Sequence, residues 1–238
     1  MAQVTTAQMI IDDAEVILSD STNERWSATE LLAWINAGMK EISMVKSDAY
    51  TLHGSTALVQ GTVQSLPDTG FQLLDITHNM GTSPGTTPGN AIRLTDRRIM
   101  DTETIGWHAA AGESATVQYY MYDERLPKKF FVYPPQPSAV GYVYMHYCAV
   151  PTNIAAGGYI LVSDVYRNVL LDYVLYRAYL KDADYTENAQ RAIAHYAAFN
   201  QALGVRRTLE IKEDPNRNRR RYRKTSGEFG PQQDAEIK

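Results

Sequence analysis

The sequence predicts an α+β fold: a helical bundle of about four helices with an inserted antiparallel β domain and an extended C-terminal arm. Three observations carry that expectation. Apolar residues recur with helical spacing near both ends of the chain. A Tyr-, Gly- and Pro-rich stretch of strand composition lies between them. A polar, charged segment follows. The expected division is 1–50 and 160–204 for a helical domain, 51–159 for the inserted β domain, and 205–238 for a basic arm.

The first helix is expected from about Thr6 to Leu18. Ile10, Ala14, Ile17 and Leu18 fall on one face, and Asp12, Asp13 and Glu15 mostly on the other. Ser27-Ala28-Thr29-Glu30 has the form of a capping box, in which hydroxyl and carboxylate satisfy orphan N–H groups reciprocally. Leu31, Trp34, Ile35, Ile42 and Val45 then form a helical stripe to about Lys46. Gly38 lies on that stripe and costs the helix about 1 kcal/mol relative to alanine, so a close helix crossing is expected there.

From Ala57 to Val150 the period changes. Strands are expected at Ala57–Gln60, Val63–Leu66, Phe71–Thr77, Ala91–Leu94, Ala115–Tyr122, Phe130–Tyr133 and Val140–Ala149. Tyr142, Tyr144 and His146 share one face of the last strand, with Val143, Met145 and Tyr147 on the other. The run from Gly81 to Gly89 reads as an exposed loop. Pro134, Pro135 and Pro137 are expected to end the Phe130–Tyr133 strand, because proline cannot donate to a ladder.

Helical pattern returns after Ser163, a candidate N-cap. The segment Val165–Leu180 is apolar on nearly every side, the mark of an enclosed central helix. Asp172 is the exception within it. Its expected partner is Arg191 or a neighbouring subunit, because Arg177 is poorly placed on the same helix. A last helix is expected from Thr186 as N-cap, with Ala189, Ile193, Tyr196, Ala197 and Phe199 or Asn200 on its stripe and Gly204 as C-cap.

Composition narrows the function. The single cysteine, Cys148, permits no intramolecular disulfide and reads as a small buried hydrophobe. The first residues lack the basic and apolar regions of a secretory signal, so none is expected. No apolar run approaches the roughly 20 residues of a membrane span. The five histidines form no H-x-x-x-H pair, and neither a phosphate-binding glycine loop nor a G-x-S-x-G elbow is present. No enzyme, cofactor or metal site is expected. Asp182 and Asp184 read as turn residues.

Charge is unevenly placed. Arg206 to Lys224 holds nine basic and three acidic residues, a net +6, so the rest carries −10 of the whole-chain −4. Arg217, Arg219, Arg220, Arg221, Tyr222, Arg223 and Lys224 form the densest run, suited to an acidic protein surface or to nucleic acid. The tyrosines of the β region suit packing and interfaces, or a sugar-binding aromatic platform.

The segments FQLLDITHNM, GNAIRLTDRRIMD, YYMYDERLPKKFFVYPPQP and VLLDYVLYRAYLKDADYTENAQRAIAHYAAF occur here in order. With WSATELLAWINAGMKEI before them, the set resembles the head-to-tail adaptors of short-tailed bacteriophages over roughly residues 5–203. The resemblance implies a structural ring, commonly dodecameric, between portal and tail nozzle. Its helical part would form the ring wall and its C-terminal segment would reach the portal. Expected partners are other copies of the chain, the portal, nozzle and tail-fibre proteins, and genomic DNA in the lumen. No membrane is involved. Trp34, Asp172, Tyr173, Tyr176, Arg177 and Tyr179 are the expected subunit-packing residues, and the basic run from Arg217 the expected portal-docking one. The alternatives are a carbohydrate- or receptor-binding tail module and a nucleic-acid-binding accessory protein.

Overall fold

The computed structural model describes residues 4–213 apart from 110, 111, 124 and 183, with backbone alone from 205 onward. The fold is α+β, with five α-helices and two sheets in the described residues. None of these helices is long and apolar enough to cross a membrane.

Helix α1 spans Ala7–Leu18, and Thr6 caps it by accepting a hydrogen bond from the Met9 N–H at 3.3 Å. Helix α2 spans Ala28–Val45 and starts with the expected capping box: Ser27 Oγ accepts from Glu30 N, and Glu30 Oε2 accepts from Ser27 N. A cap of this kind stabilises a helix by about 1 kcal/mol. Helix α4 (Arg167–Lys181) buries Val169, Leu170, Tyr173, Val174, Leu175, Ala178 and Tyr179 but is exposed at Asn168, Arg177 and Leu180, so it is not enclosed on every side as expected. Leu170 and Tyr173 face Gly38 of α2, where an added Cβ would lie 2.9 Å from the Tyr173 ring. Arg167 pairs with Asp13 of α1 at 2.7 Å. Tyr173 and Tyr176 meet Phe199 and Tyr196 of helix α5 (Thr186–Glu213) at ring distances of 5.3 and 4.7 Å. Burying each large apolar side chain of α4 contributes about 1.5–3 kcal/mol.

Helix α5 departs from expectation at both ends. Thr186 is its first residue, not its cap, and Gly204 lies inside it. The helix-favouring residues from Val205 to Glu213 outweigh the roughly 1 kcal/mol cost of one glycine. An extended arm therefore cannot begin at 205. The inward stripe is also shifted: Ala192, Phe199 and Leu203 are buried, whereas Ile193 and Ala197 are exposed. Ser163 opens a 3-10 turn, Asp164–Tyr166, rather than α4 itself, and its side chain makes no capping bond.

The β part holds β1 (Thr51–Ala57), β2 (Gly61–Ser65), β3 (Gly70–Asn79), β4 (Arg93–Leu94), helix α3 (Arg97–Glu103), β5 (Tyr119–Tyr122), β6 (Lys129–Gln136) and β7 (Tyr142–Ala149). One sheet has the order β1-β7-β3 and the other β2-β6-β5-β4. All pairs are antiparallel except the short β4–β5 pair, whose connection runs through α3. The sheets share a core that includes Leu73, Ile76, Tyr120, Phe130, Val143 and Met145. A separate helical core holds Ile10, Leu31, Ile35, Leu170, Val174 and Phe199. Met121 faces away from the inter-sheet core and packs with Met100 and Trp107 around α3. Both sides of β5 are thus covered, which explains why its neighbours Tyr120 and Met121 are both buried.

Three β expectations need correction. The prolines do not end β6, which continues through Pro134 and Pro135 to Gln136. Their register with β2 falls in the irregularity between Gly61 and Val63, and β5 ends its pairing at Tyr133, so no ladder needs their missing N–H. Pro135 supplies its carbonyl instead, accepting from Ser114 N at 3.0 Å. The first strand is Thr51–Ala57 rather than Ala57–Gln60, because Thr51-Leu52-His53-Gly54-Ser55-Thr56-Ala57 has few bulky apolar residues to announce it. Helix α3 was not expected, although Asp96 caps it through Arg98 N at 2.8 Å.

Four buried amide side chains fix the irregular connections. Asn36 bonds both N–H and C=O of Ile154. Gln64 does the same for Val59. Asn79 holds Val117 N–H and C=O together with Asn90 C=O. Gln136 joins Gly141 N–H to Ser114 C=O. Each offsets desolvation of buried backbone that no ladder satisfies.

Candidate interaction surfaces

The α4–α5 seam takes up three of the six residues expected to pack between subunits. Tyr173 and Tyr179 are buried within the chain. Burial pushes the Tyr173 phenol up, with the Arg177 charge opposing. Asp172 pairs with His195 Nδ1 at 3.0 Å, not with Arg191. Arg191 instead lies 5.7 Å from the centre of the Tyr179 ring, on which His195 also stacks. Trp34 and Tyr176 are half-buried, and Arg177 is exposed. Of the expected set, Trp34, Tyr176 and Arg177 therefore have surface to offer.

At the far end of the bundle, the α1–α2 and α4–α5 connections are tied together. Arg25 pairs with Asp182. Lys181 bonds both oxygens of Glu30 at 2.8 and 2.9 Å, and this holds the Glu30 carboxyl below its ordinary range. Asp20 accepts from the backbone N–H of Trp26, Arg25 and Glu24, which lowers its carboxyl likewise. These groups are solvated, so the ion pairs fix geometry more than they stabilise. Asp182 is thus more than a turn residue.

Sequence reasoning missed two kinds of surface. Val16 and Ile193 are 79% and 71% exposed on the outer faces of α1 and α5, and Ile17, expected inward, is exposed too. A residue-by-residue helical wheel would have placed Val16 opposite Ile10, Ile11 and Ala14. The second is the free edge of β1. Tyr50 and Leu58 bond β7 or its flank through Ala149 N and Gly141 O, so ladder bonding falls on even positions. Thr51, His53, Ser55 and Ala57 therefore turn their N–H and C=O outward. The edge has no proline, lysine or bulge to guard it. By contrast the last residues of β3 are covered on the far side, through Asn79 with Asn90 and Ile92 with Thr77.

Rings crowd the outer side of the same sheet. His78 stacks on Tyr144 at 5.2 Å and His53 on His146 at 5.5 Å. These rings cover one another's faces, whereas a sugar platform presents ring faces to solvent. That arrangement counts against the carbohydrate reading. Among the described residues no three His, Cys, Asp or Glu side chains gather as metal ligands. One concavity is lined by Asn90, Arg93, Val117 and Tyr119, another by Arg25, Asp182, Tyr185, Thr186, Glu187 and Asn188.

Cys148 is fully buried, and desolvation raises its thiol to about 11. The folded state holds this proton more tightly than the unfolded chain. Its stabilisation is complete below pH 9 and fades as pH rises toward 11, by about 2–3 kcal/mol. Comparison of urea midpoints at pH 8 and 10.5 should show a smaller loss for Cys148→Ala than for the parent chain. An equal loss contradicts the assignment. The native thiol should also resist maleimides until the chain unfolds.

The helical and β cores are thus separate, and single apolar side chains on α1 and α5 and the edge of β1 stand exposed. The chain matches the family model of the SU10 adaptor protein over residues 5–225 and belongs to that family. It is a phage head-to-tail adaptor, a structural protein that associates with other components of the virion at the neck. The match continues beyond α5 into the basic run, further than the sequence resemblance to residue 203. Arg217, Arg219, Arg220, Arg221, Tyr222, Arg223 and Lys224 themselves lie outside the described residues. No curated protein matches the chain.

Proposed function

We propose that this adaptor forms a dodecameric ring between portal and tail nozzle in a short-tailed phage, and that it continues the channel through which genomic DNA leaves at ejection. The carrying observation is the family match, which spans helical part, β part and the start of the basic tail. The chain is made in the host cytoplasm and catalyses nothing. Its helical part closes the ring, and cyclic symmetry then leaves no contact face unsatisfied. The β part faces the nozzle and fibre proteins, with the open β1 edge as the point where a partner strand adds. The acidic body, at −10 without the basic run, lets DNA pass without adhering where those acids line the lumen.

The basic run docks on an acidic portal surface through guanidinium–carboxylate pairs. Replacement of Arg217, Arg219, Arg220, Arg221, Arg223 and Lys224 by glutamine, with Tyr222→Ala, should weaken portal binding at least about tenfold and leave the melting temperature unchanged. Calorimetric titration of the portal ring measures it. Unchanged affinity contradicts the docking role. If the run served DNA instead, the same change would remove binding to a short duplex and its steep salt dependence.

A further inference from the structure

We infer that the free chain closes its β1 edge on the same edge of a second copy, antiparallel about a two-fold axis at Gly54. Thr51, His53, Ser55 and Ala57 turn their N–H and C=O groups away from β7, and backbone groups in that order are matched by another strand. The chemistry of the edge points to a second copy. From Ala49 to Pro67 the chain carries no Asp, Glu, Lys or Arg. This stretch holds β1 and β2, each the outermost strand of its sheet, with Val59 and Val63 exposed. One side of the β part is thus free of these charges, whereas β3 and β4 on the other carry Asp75 and Arg93. A charged partner segment finds no counter-charge at β1, and a second copy meets no like charge there.

Register makes the edge complementary to itself. Bonding to β7 uses the even positions of β1, so an added strand must bond the odd ones. An antiparallel copy that sets Thr51 against Ala57 and His53 against Ser55 meets this condition at every odd residue and uses the whole strand. A shift of the copy by two residues leaves Thr51 or Ala57 without a strand partner. Gly54 then faces Gly54 of the copy at the axis. A Cβ added there meets nothing within 4 Å, so the approach is open. The joined sheet ends in β3 on both sides, and the last residues of β3 are covered, so the contact closes at two copies. Resting on the ring reading, this pair is a state before assembly. Neighbours in a cyclic ring are related by the ring rotation and not by a two-fold between them, so entry into the ring parts the copies. That uncovers β1 for the tail partner, and tail attachment follows ring formation.

Native mass of the full chain at tens of micromolar should give a dimer. Cys148 is the chain's single cysteine and is buried, so an introduced thiol reports alone. Gly54→Cys should form a disulfide-linked dimer on mild oxidation, because a pair at this axis sets its Cα atoms about 4.5 Å apart. Thr51→Cys should not, since the same residue of the copy lies roughly 20 Å away. Thr51 and Ala57 are both exposed. Thr51→Lys with Ala57→Lys sets lysines opposite one another and should give a monomer, with circular dichroism and melting temperature as in the parent. Thr51→Lys with Ala57→Glu should pair at least about tenfold more tightly than the double-lysine variant. The linked Gly54→Cys dimer should stay out of portal rings until it is reduced. A monomeric parent, equal linkage of Gly54→Cys and Thr51→Cys, or entry of the linked dimer into rings overturns the inference and leaves the ring reading standing. Failure of the parent chain to form any ring with the portal overturns the ring reading and the order of assembly, while the dimer is judged by its own mass and linkage.

Discussion

Gly141→Ala is expected to unfold the β part and leave the helical core standing. Gly141 sits just before β7, the central strand of its sheet. Its N–H donates to Gln136 Oε1 at 2.9 Å, and its carbonyl accepts from Leu58 N at 3.0 Å. A Cβ there would run into the Ala115 carbonyl oxygen, with the Gln136 side chain also in contact. The obstacle is backbone, so no rotamer change relieves it. Either the entry to β7 moves, breaking the Leu58 and Gln136 bonds, or the segment leading to β5 moves away from the shared core. The cost is about 3–5 kcal/mol, at the upper end of single substitutions. Calorimetry should show a first transition at lower temperature, with a helical transition near its original place. Ring formation with the portal should survive and attachment of the tail should fail. A single unshifted transition contradicts this account.

The converse change is Gly38→Leu. The crossing of α2 over α4 leaves no space at this position: an added Cβ alone lies 2.9 Å from Tyr173 Cδ1 and 3.1 Å from Leu170 Cδ2. Tyr173 cannot swing aside, because Tyr176 and Phe199 pack on its ring. Leucine has a better helix propensity by about 1 kcal/mol, but forced separation of two helices costs about 3 kcal/mol or more. Far-UV circular dichroism should report lost helix, and ring assembly should fall, while the tyrosine-rich β part keeps its near-UV signal. If Gly38→Leu matched the parent in stability, the crossing would not be as close as described. The two variants together ask whether ring closure and tail contact reside in different cores.

The helical part was largely legible because its signals are local. The Ser27–Glu30 capping box, the glycine at the α2–α4 crossing and the buried face of α4 follow from spacing that a linear sequence displays. Cys148 was legible for the same reason. Features set by partners distant in sequence were not. Asp172 finds His195 only because α5 folds back along α4. Pro134 and Pro135 stay in a strand only because the facing strands happen not to need their donors. Strand β1 owes its place to seven paired positions on β7, not to its own composition. The stripe Ala189, Ile193, Tyr196, Ala197 was read as inward because apolar residues usually are. Ile193, Tyr196 and Ala197 are exposed instead, because the face of α5 that packs on α4 is set by Ala192, Phe199 and Leu203.

The most direct measurement is native mass of the purified chain with and without its portal ring. The account predicts one larger species in which each portal ring carries a complete adaptor ring, built from one chain per position. A portal ring of unchanged mass beside free adaptor, at concentrations well above micromolar, would contradict it.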